Sequence, residues 1–235
     1  MDYHKTFENY RKVKLSFLES CKIIADWQKI KNYQFATKLL GQFNRQNCLA
    51  AIAVAKALEI EDKIIKKAMA SFKPLPGRLE MVVKKPFLVI VDFAHTSQAF
   101  EKVLPEVKKL GKKLVHVFGC TGDRDKNKRP IMGQIAAKYD DIIILTHEDT
   151  YSENPEEIIN QIEKGVTYKG ETLKGLTLLK CFDRREAIKK ALELAKPGDV
   201  VFISGVGHQK SLNLSGREVP WSDQKVVKEL LDEKK

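Results

Sequence analysis

The chain has 235 residues, 43% hydrophobic and 31% charged, the proportions of a globular protein with apolar material for one large domain or two small ones. No stretch approaches the ~18–20 uninterrupted apolar residues of a membrane helix, and MDYHKTFENYRKVK lacks the apolar centre of a signal peptide, so a cytoplasmic protein with no membrane partner is expected. Forty-two Lys and Arg against 31 Asp and Glu give a formal charge of +11. The lysines recur beside carboxylates at helical spacing instead of gathering in one stripe with aromatics, which argues for solvated faces and against a nucleic-acid partner.

Residues 1–33 place Phe7, Tyr10, Val13 and Phe17 at three- and four-residue intervals, which predicts a helix with one apolar stripe that needs a cover. CLAAIAVAKALEI continues as an Ala-rich helix from about Asn44, and EDKIIKKAMASF as a shorter one ending before Pro74 and Pro76. Beyond KPLPGRLE the pattern changes. MVVKK, PFLVIVDFA, KLVHVFGC, DDIIILTH, LTLLKCF and DVVFISG read as strands, alternating with the helices AFEKVLPEVKKL, KRPIMGQIAAKY, NPEEIINQIEKG and DRREAIKKALELAKPG, and VVKELLDEKK closes the chain. Buried strands alternating with amphipathic helices predict an α/β fold, a Rossmann-like, mostly parallel, doubly wound sheet over 80–235, preceded by a small helical unit over 1–79.

Ligands of such sheets bind beyond the carboxyl ends of the strands, where this chain carries Asp92–Thr96, Gly119–Asp125, Thr146–Asp149 and Ser204–Gln209. In GCTGDRDKNKRP, small residues let backbone N–H groups approach an anion, and Arg124 between Asp123 and Asp125 suits bidentate recognition of a carboxylate or phosphate; an ordinary turn with an internal salt bridge is the plain alternative. His95 and His208 read as hydrogen-bonded structural histidines. GVGHQKS lacks the GxxxxGK[ST] spacing of a phosphate loop, no GxGxxG follows a strand, and no nucleophile elbow occurs. Cys21, Cys48, Cys120 and Cys181 form neither a zinc-ligand spacing nor a disulfide framework.

Taken in order, LLGQFNRQNCLAA, PLPGRLE, VIVDFAHTSQA, VFGCTGDRDKNKRPIMGQIAA, DRREAI, KPGDVVFISGVGHQ and VPWSDQKVV resemble the Mur ligases of the UDP-N-acetylmuramyl-tripeptide synthetase type. The resemblance runs from Leu39 onward and implies a three-domain enzyme that uses ATP and Mg2+ to add a diamino acid to UDP-N-acetylmuramoyl-L-alanyl-D-glutamate in peptidoglycan synthesis. By it, 80–235 is the C-terminal domain and 1–79 a shortened part of the central ATPase domain, without the phosphate loop or the UDP-sugar domain, so that the isolated chain is expected to lack ligation activity.

Residue by residue, the resemblance places Asn47 against adenine, Arg78 at the ATP phosphates, Asp92 at the ribose and His95 beside them. Arg124 would bind a carboxylate of the incoming amino acid and the Gly205 backbone would lie next to it. Two motifs differ. Glu148-Asp149-Thr150-Tyr151 stands where the meso-diaminopimelate enzymes have Asp-Asn-Pro-Arg, and the GHE motif ends in Gln209. A tyrosine cannot make the charged two-bond pair of an arginine with a distal carboxylate, whereas Glu148 and Asp149 suit a cationic side chain such as lysine or ornithine. A non-catalytic binding module derived from the same domain, docking through its helical N-terminal segment, is the rival reading.

Overall fold

The structure, a computed structural model, describes residues 5–168, 171–173 and 175–233. The chain forms two compact units that meet at Lys73/Pro74, six residues before the boundary read from the sequence.

In the first unit, α1 (Phe7–Glu19) starts at Thr6, whose hydroxyl accepts the Asn9 N–H at 3.2 Å, a side-chain cap for an otherwise unpaired first-turn donor. None of its side chains is buried: Phe7, Val13 and Phe17 are 58%, 54% and 69% exposed. The apolar stripe exists as a helix, and nothing among the described residues covers it. After a 3-10 turn at Trp27–Ile30, α2 (Gln42–Ala57) begins where Gly41 adopts φ +87°, two residues before the expected start. It buries Cys48, Leu49, Ile52 and Ala53, and α3 (Asp62–Ser71) buries Ile65.

The second unit contains β1 (Glu80–Val83), β2 (Leu88–Val91), α4 (Ser97–Lys108), β3 (Leu114–Phe118), α5 (Lys128–Tyr139), β4 (Ile142–Leu145), α6 (Pro155–Val166), β5 (Thr167–Tyr168), β6 (Glu171–Thr172), β7 (Thr177–Lys180), α7 (Arg184–Leu194), β8 (Val200–Ile203), β9 (Ser211–Leu214), β10 (Arg217–Pro220) and α8 (Asp223–Asp232). The main sheet has the order β1-β2-β8-β3-β4-β7, parallel except for the edge strand β1. Placing β8 between β2 and β3 reverses the winding, which puts α4, α5 and α6 on one face and α7 with α8 on the other.

The period of two then divides the core. Val89, Val91, Val115, Val117, Val201 and Ile203 pack with Ala187, Ile188 and Ala191 of α7 and Val226, Val227 and Leu230 of α8. The alternate positions Ile90, His116, Phe118 and Phe202 are also fully buried, with the ring of Phe100 from α4 against His116 and Phe118. The expected α/β, mostly parallel architecture is therefore the observed one. The β9–β10 hairpin is an addition. Its strands pair around Ser215 and Gly216, both at positive φ, and neither is among the strands expected from the sequence.

Candidate functional site

Five loops converge at the carboxyl edge of β2, β8, β3 and β4. The PLPGRLE turn comes first. Gly77, at φ +64°, packs so closely on the backbone of Gly207 that no Cβ would fit, and its N–H donates to the Glu80 carboxylate at 2.8 Å. Gln224 of α8 bridges the same carboxylate and the Gly207 carbonyl, both at 3.0 Å. This turn thus belongs with the strand-end loops and not with the helical unit.

Asp92 ends β2 as a buried acceptor, taking the Leu79 N–H and the Ala94 N–H, each at 2.8 Å, on its two oxygens. Burial raises its carboxyl above the ordinary range against the pull of those donors and of Arg78. Phe93 beside it is a platform: the Arg78 guanidinium lies 4.7 Å from its ring centre, and the His95 and His208 rings are 4.6 and 4.8 Å away. His95 is paired through Nδ1 with the Phe93 carbonyl at 2.8 Å, and its own carbonyl accepts the Lys128 ammonium at 2.9 Å. The structure brings Arg78, Asp92 and His95 into one neighbourhood. Asn47 lies in the other unit, inside α2 and not at its first turn, donating to Asn44 Oδ1 at 3.3 Å. With Asp92 committed to backbone donors and no phosphate loop following a described strand, the residues present do not complete a nucleotide cradle.

Arg124 sits at an exposed loop tip. Its flanking carboxylates do not hold it: it donates to the Asp123 carbonyl at 3.2 Å and lies 5.6 Å from the Tyr151 ring centre. No ion pair forms on it among the described residues. Asp123 instead, at φ +52°, accepts from the Ser152 N–H and hydroxyl, while its own N–H donates to Glu153 at 2.6 Å. Behind this rim, fully buried Arg129 donates through both terminal nitrogens to Glu153 at 2.9 Å and also reaches Gln161 and the Thr121 carbonyl. The rim is thereby a fixed frame that leaves the Arg124 guanidinium available to an anion.

The floor is Glu148, 3% exposed. It lies so close under Gly205, at φ +102°, that a Cβ there would overlap its carboxylate. Among the described residues its two oxygens accept only long contacts, from the Gly119 N–H and the Thr121 hydroxyl, both at 3.3 Å. Burial raises its carboxyl above the ordinary range, opposed by Arg184, Lys128 and His95. Asp149, read with Glu148 from the sequence, has closer donors of its own. Its oxygens take the Asn213 N–H at 2.8 Å and the Gln209 amide at 3.1 Å, so it anchors the β9–β10 hairpin. Tyr151 is half-buried at the rim, and its N–H points to the Asn213 carbonyl at 3.4 Å.

Several buried groups beneath the site escaped the sequence reading. Arg184 and Asp223 form an enclosed bidentate pair at 2.8 Å. His116 bonds Asp140 at 2.7 Å through Nδ1 and the Ser204 hydroxyl at 2.9 Å through Nε2. The only signal was position: DRREAI sets an arginine at the first turn of a helix that follows a strand, on its inward face. Cys120 is also buried, its thiol pushed up to about 12 by desolvation, which removes it as a nucleophile.

This arrangement has counterparts. Residues 77–207 match the family profile described as the glutamate ligase domain of Mur ligases. The chain belongs to the Mur ligase family. Among curated relatives, a UDP-N-acetylmuramoyl-L-alanyl-D-glutamate--2,6-diaminopimelate ligase of Aquifex aeolicus is 45% identical over 204 residues, covering 86% of this chain and 41% of the relative. A UDP-N-acetylmuramyl-tripeptide synthetase of Borreliella burgdorferi is 42% identical over 205 residues, with 86% and 40% covered. A solved diaminopimelate-adding ligase of the same name as the Aquifex protein superposes with a TM-score of 0.64 at 33% identity, over 85% of this chain and 40% of the other. A pseudomurein peptide ligase type C from Methanothermus fervidus, 22% identical with a TM-score of 0.59, shares the fold. The chain spans about two fifths of the length of these Mur ligase relatives. The profile match takes in four of the strand-end loops together with the PLPGRLE turn from Gly77 on. The hairpin that anchors Asp149 lies beyond it.

Proposed function

We propose that the second unit is the amino-acid-accepting part of a Mur ligase, holding a diamino acid whose amine is joined, at the cost of ATP, to UDP-N-acetylmuramoyl-L-alanyl-D-glutamate. The observation that carries this is Glu148 beneath Gly205: a buried carboxylate with two weak donors among the described residues, in a space that exists because Gly205 has no side chain. An ammonium group entering there would supply the missing strong donor and draw the carboxyl into its charged form. Arg124 at the rim would take the substrate's carboxylate, and the Gly205 backbone would line the space between.

The side chain favoured is a simple cation. Tyr151 offers a hydroxyl where a distal carboxylate would require a cation, so lysine or ornithine fits better than meso-diaminopimelate. Because the residues present do not complete a nucleotide cradle, the chain's contribution is to hold and orient the amine. Calorimetry of the chain with L-lysine, L-ornithine, meso-diaminopimelate and ATP tests this. Lysine or ornithine should bind more tightly than meso-diaminopimelate, and Glu148→Gln should weaken lysine at least tenfold. Binding unaffected by Glu148→Gln would overturn the assignment. A second reading, a non-catalytic module, draws support from the exposed Phe7, Val13 and Phe17 of α1; it predicts that none of the four ligands binds.

A further inference from the structure

We propose that Arg184 is a positioning residue for the strand-end pocket: it ties the loops after β4 and β8 to helices α7 and α8 and so sets Glu148 against Gly205. Its side chain is fully enclosed. Nε and Nη2 donate to the two oxygens of Asp223 at 2.8 Å, Nη2 also to the Ser204 carbonyl at 3.0 Å, and Nη1 to the His147 carbonyl at 3.4 Å. Asp223, also enclosed, stands in the first turn of α8 and accepts the Trp221 indole N–H at 2.8 Å. One guanidinium therefore joins α7, α8 and the residues immediately before Glu148 and Gly205.

A buried ion pair is seldom more stable than apolar side chains of the same volume. Stability alone does not explain why a charged fork stands here, whereas its geometry, two carbonyls held from two loops, does. Ser204 is fixed from its other side as well: its N–H donates to the Val117 carbonyl at 3.0 Å and its hydroxyl meets His116. The charged and titratable groups around Glu148 are Arg184 from α7, Lys128 from α5, His95 from the loop before α4, and the neighbouring Asp149 and the neutral Cys120 thiol. Lys128 already donates to the His95 carbonyl, and of these cations Arg184 exerts the largest pull on Glu148.

This inference rests on the reading of the pocket given above for what the pocket holds, and its test needs no ligand. In the whole chain, the Glu148 carboxyl carbon and the Glu148 and Gly205 amides are followed by NMR against pH. Arg184→Met should raise the Glu148 midpoint by one pH unit or more, a tenfold gain in proton affinity. Arg184→Lys keeps the charge without the fork: its midpoint should stay within about half a unit, while the two amide signals move. If Arg184→Met does not fold, Asp223→Asn joins Arg184→Lys and should also displace both amides. An unchanged midpoint in folded Arg184→Met, or unmoved Glu148 and Gly205 amides in Arg184→Lys, would overturn the proposal. Failure of the unaltered chain to bind lysine would instead overturn the pocket's assignment and leave these shifts to be judged on their own.

Discussion

At the scale of single residues, charge and space decide the site. Glu153 is held down to about 2, first by its hydrogen bonds from Arg129 and then by the Asp123 N–H and Lys126. A carboxyl lowered on folding contributes stability above its ordinary value of 4.5 and loses it as pH falls toward 2. Urea titrations across that window should show a steep acid loss that is flattened in Glu153→Gln. Arg129→Met should cost about 1–3 kcal/mol at neutral pH, because Glu153 loses its bidentate partner and the Gln161 amide oxygen and Thr121 carbonyl lose a donor. Gly205→Ala should cost at least ~2 kcal/mol and abolish lysine binding, since φ +102° disfavours a side chain and the new methyl would displace Glu148.

The pair Asp149–Gln209 carries a related lesson. Set against the Asp-Asn-Pro-Arg and GHE motifs, this chain has a carboxylate where those have an amide, and an amide where those have a carboxylate, and the two side chains are bonded to each other. The two departures from those motifs therefore meet in one hydrogen bond. Gln209→Glu alone should destabilise by about 1–2 kcal/mol by setting two carboxylates together, and Asp149→Asn in the same chain should restore most of it; a double-mutant cycle in urea reads the coupling.

At the scale of elements, the helix starts of the α/β unit are written locally. Thr96 accepts the Ala99 N–H at 3.2 Å, Asp183 the Glu186 N–H at 2.9 Å, and Ser222 the Lys225 N–H at 3.3 Å, each satisfying a donor that the helix cannot. Thr96→Ala should cost about 1 kcal/mol of unfolding free energy, and Thr96→Ser should recover most of it. The strands were legible for a different reason. LVIV, LVHVF, IIIL and VVFI are buried on both faces, and only a covered parallel sheet hides such continuous runs. The β9–β10 hairpin went unread because SLNL and REVP are only four residues each, the second wholly exposed, and stand outside the strand–helix alternation, although the Ser-Gly turn was in plain view.

For the whole molecule, the two units differ in the material that holds them. The first buries Cys48, Leu49, Ile52, Ala53 and Ile65, while the second carries a contiguous core on both faces of its sheet. Amides of α2 and α3 should accordingly exchange with solvent at least ~10-fold faster than those of β3 and β8, read by native-state hydrogen exchange. The sequence by itself determined the α/β class, the order of the main-sheet strands and their helices, and the loops at which chemistry gathers, because periodicity and motif order are properties of neighbours along the chain. Only the tertiary structure decided that Asp92 serves two backbone donors and Asp149 the Asn213 N–H and the Gln209 amide, while Glu148 stays poorly satisfied and Arg184, 36 positions away, lies beneath it. A carboxylate's role is set by how many donors surround it, and those donors arrive from loops that only the closed sheet brings together.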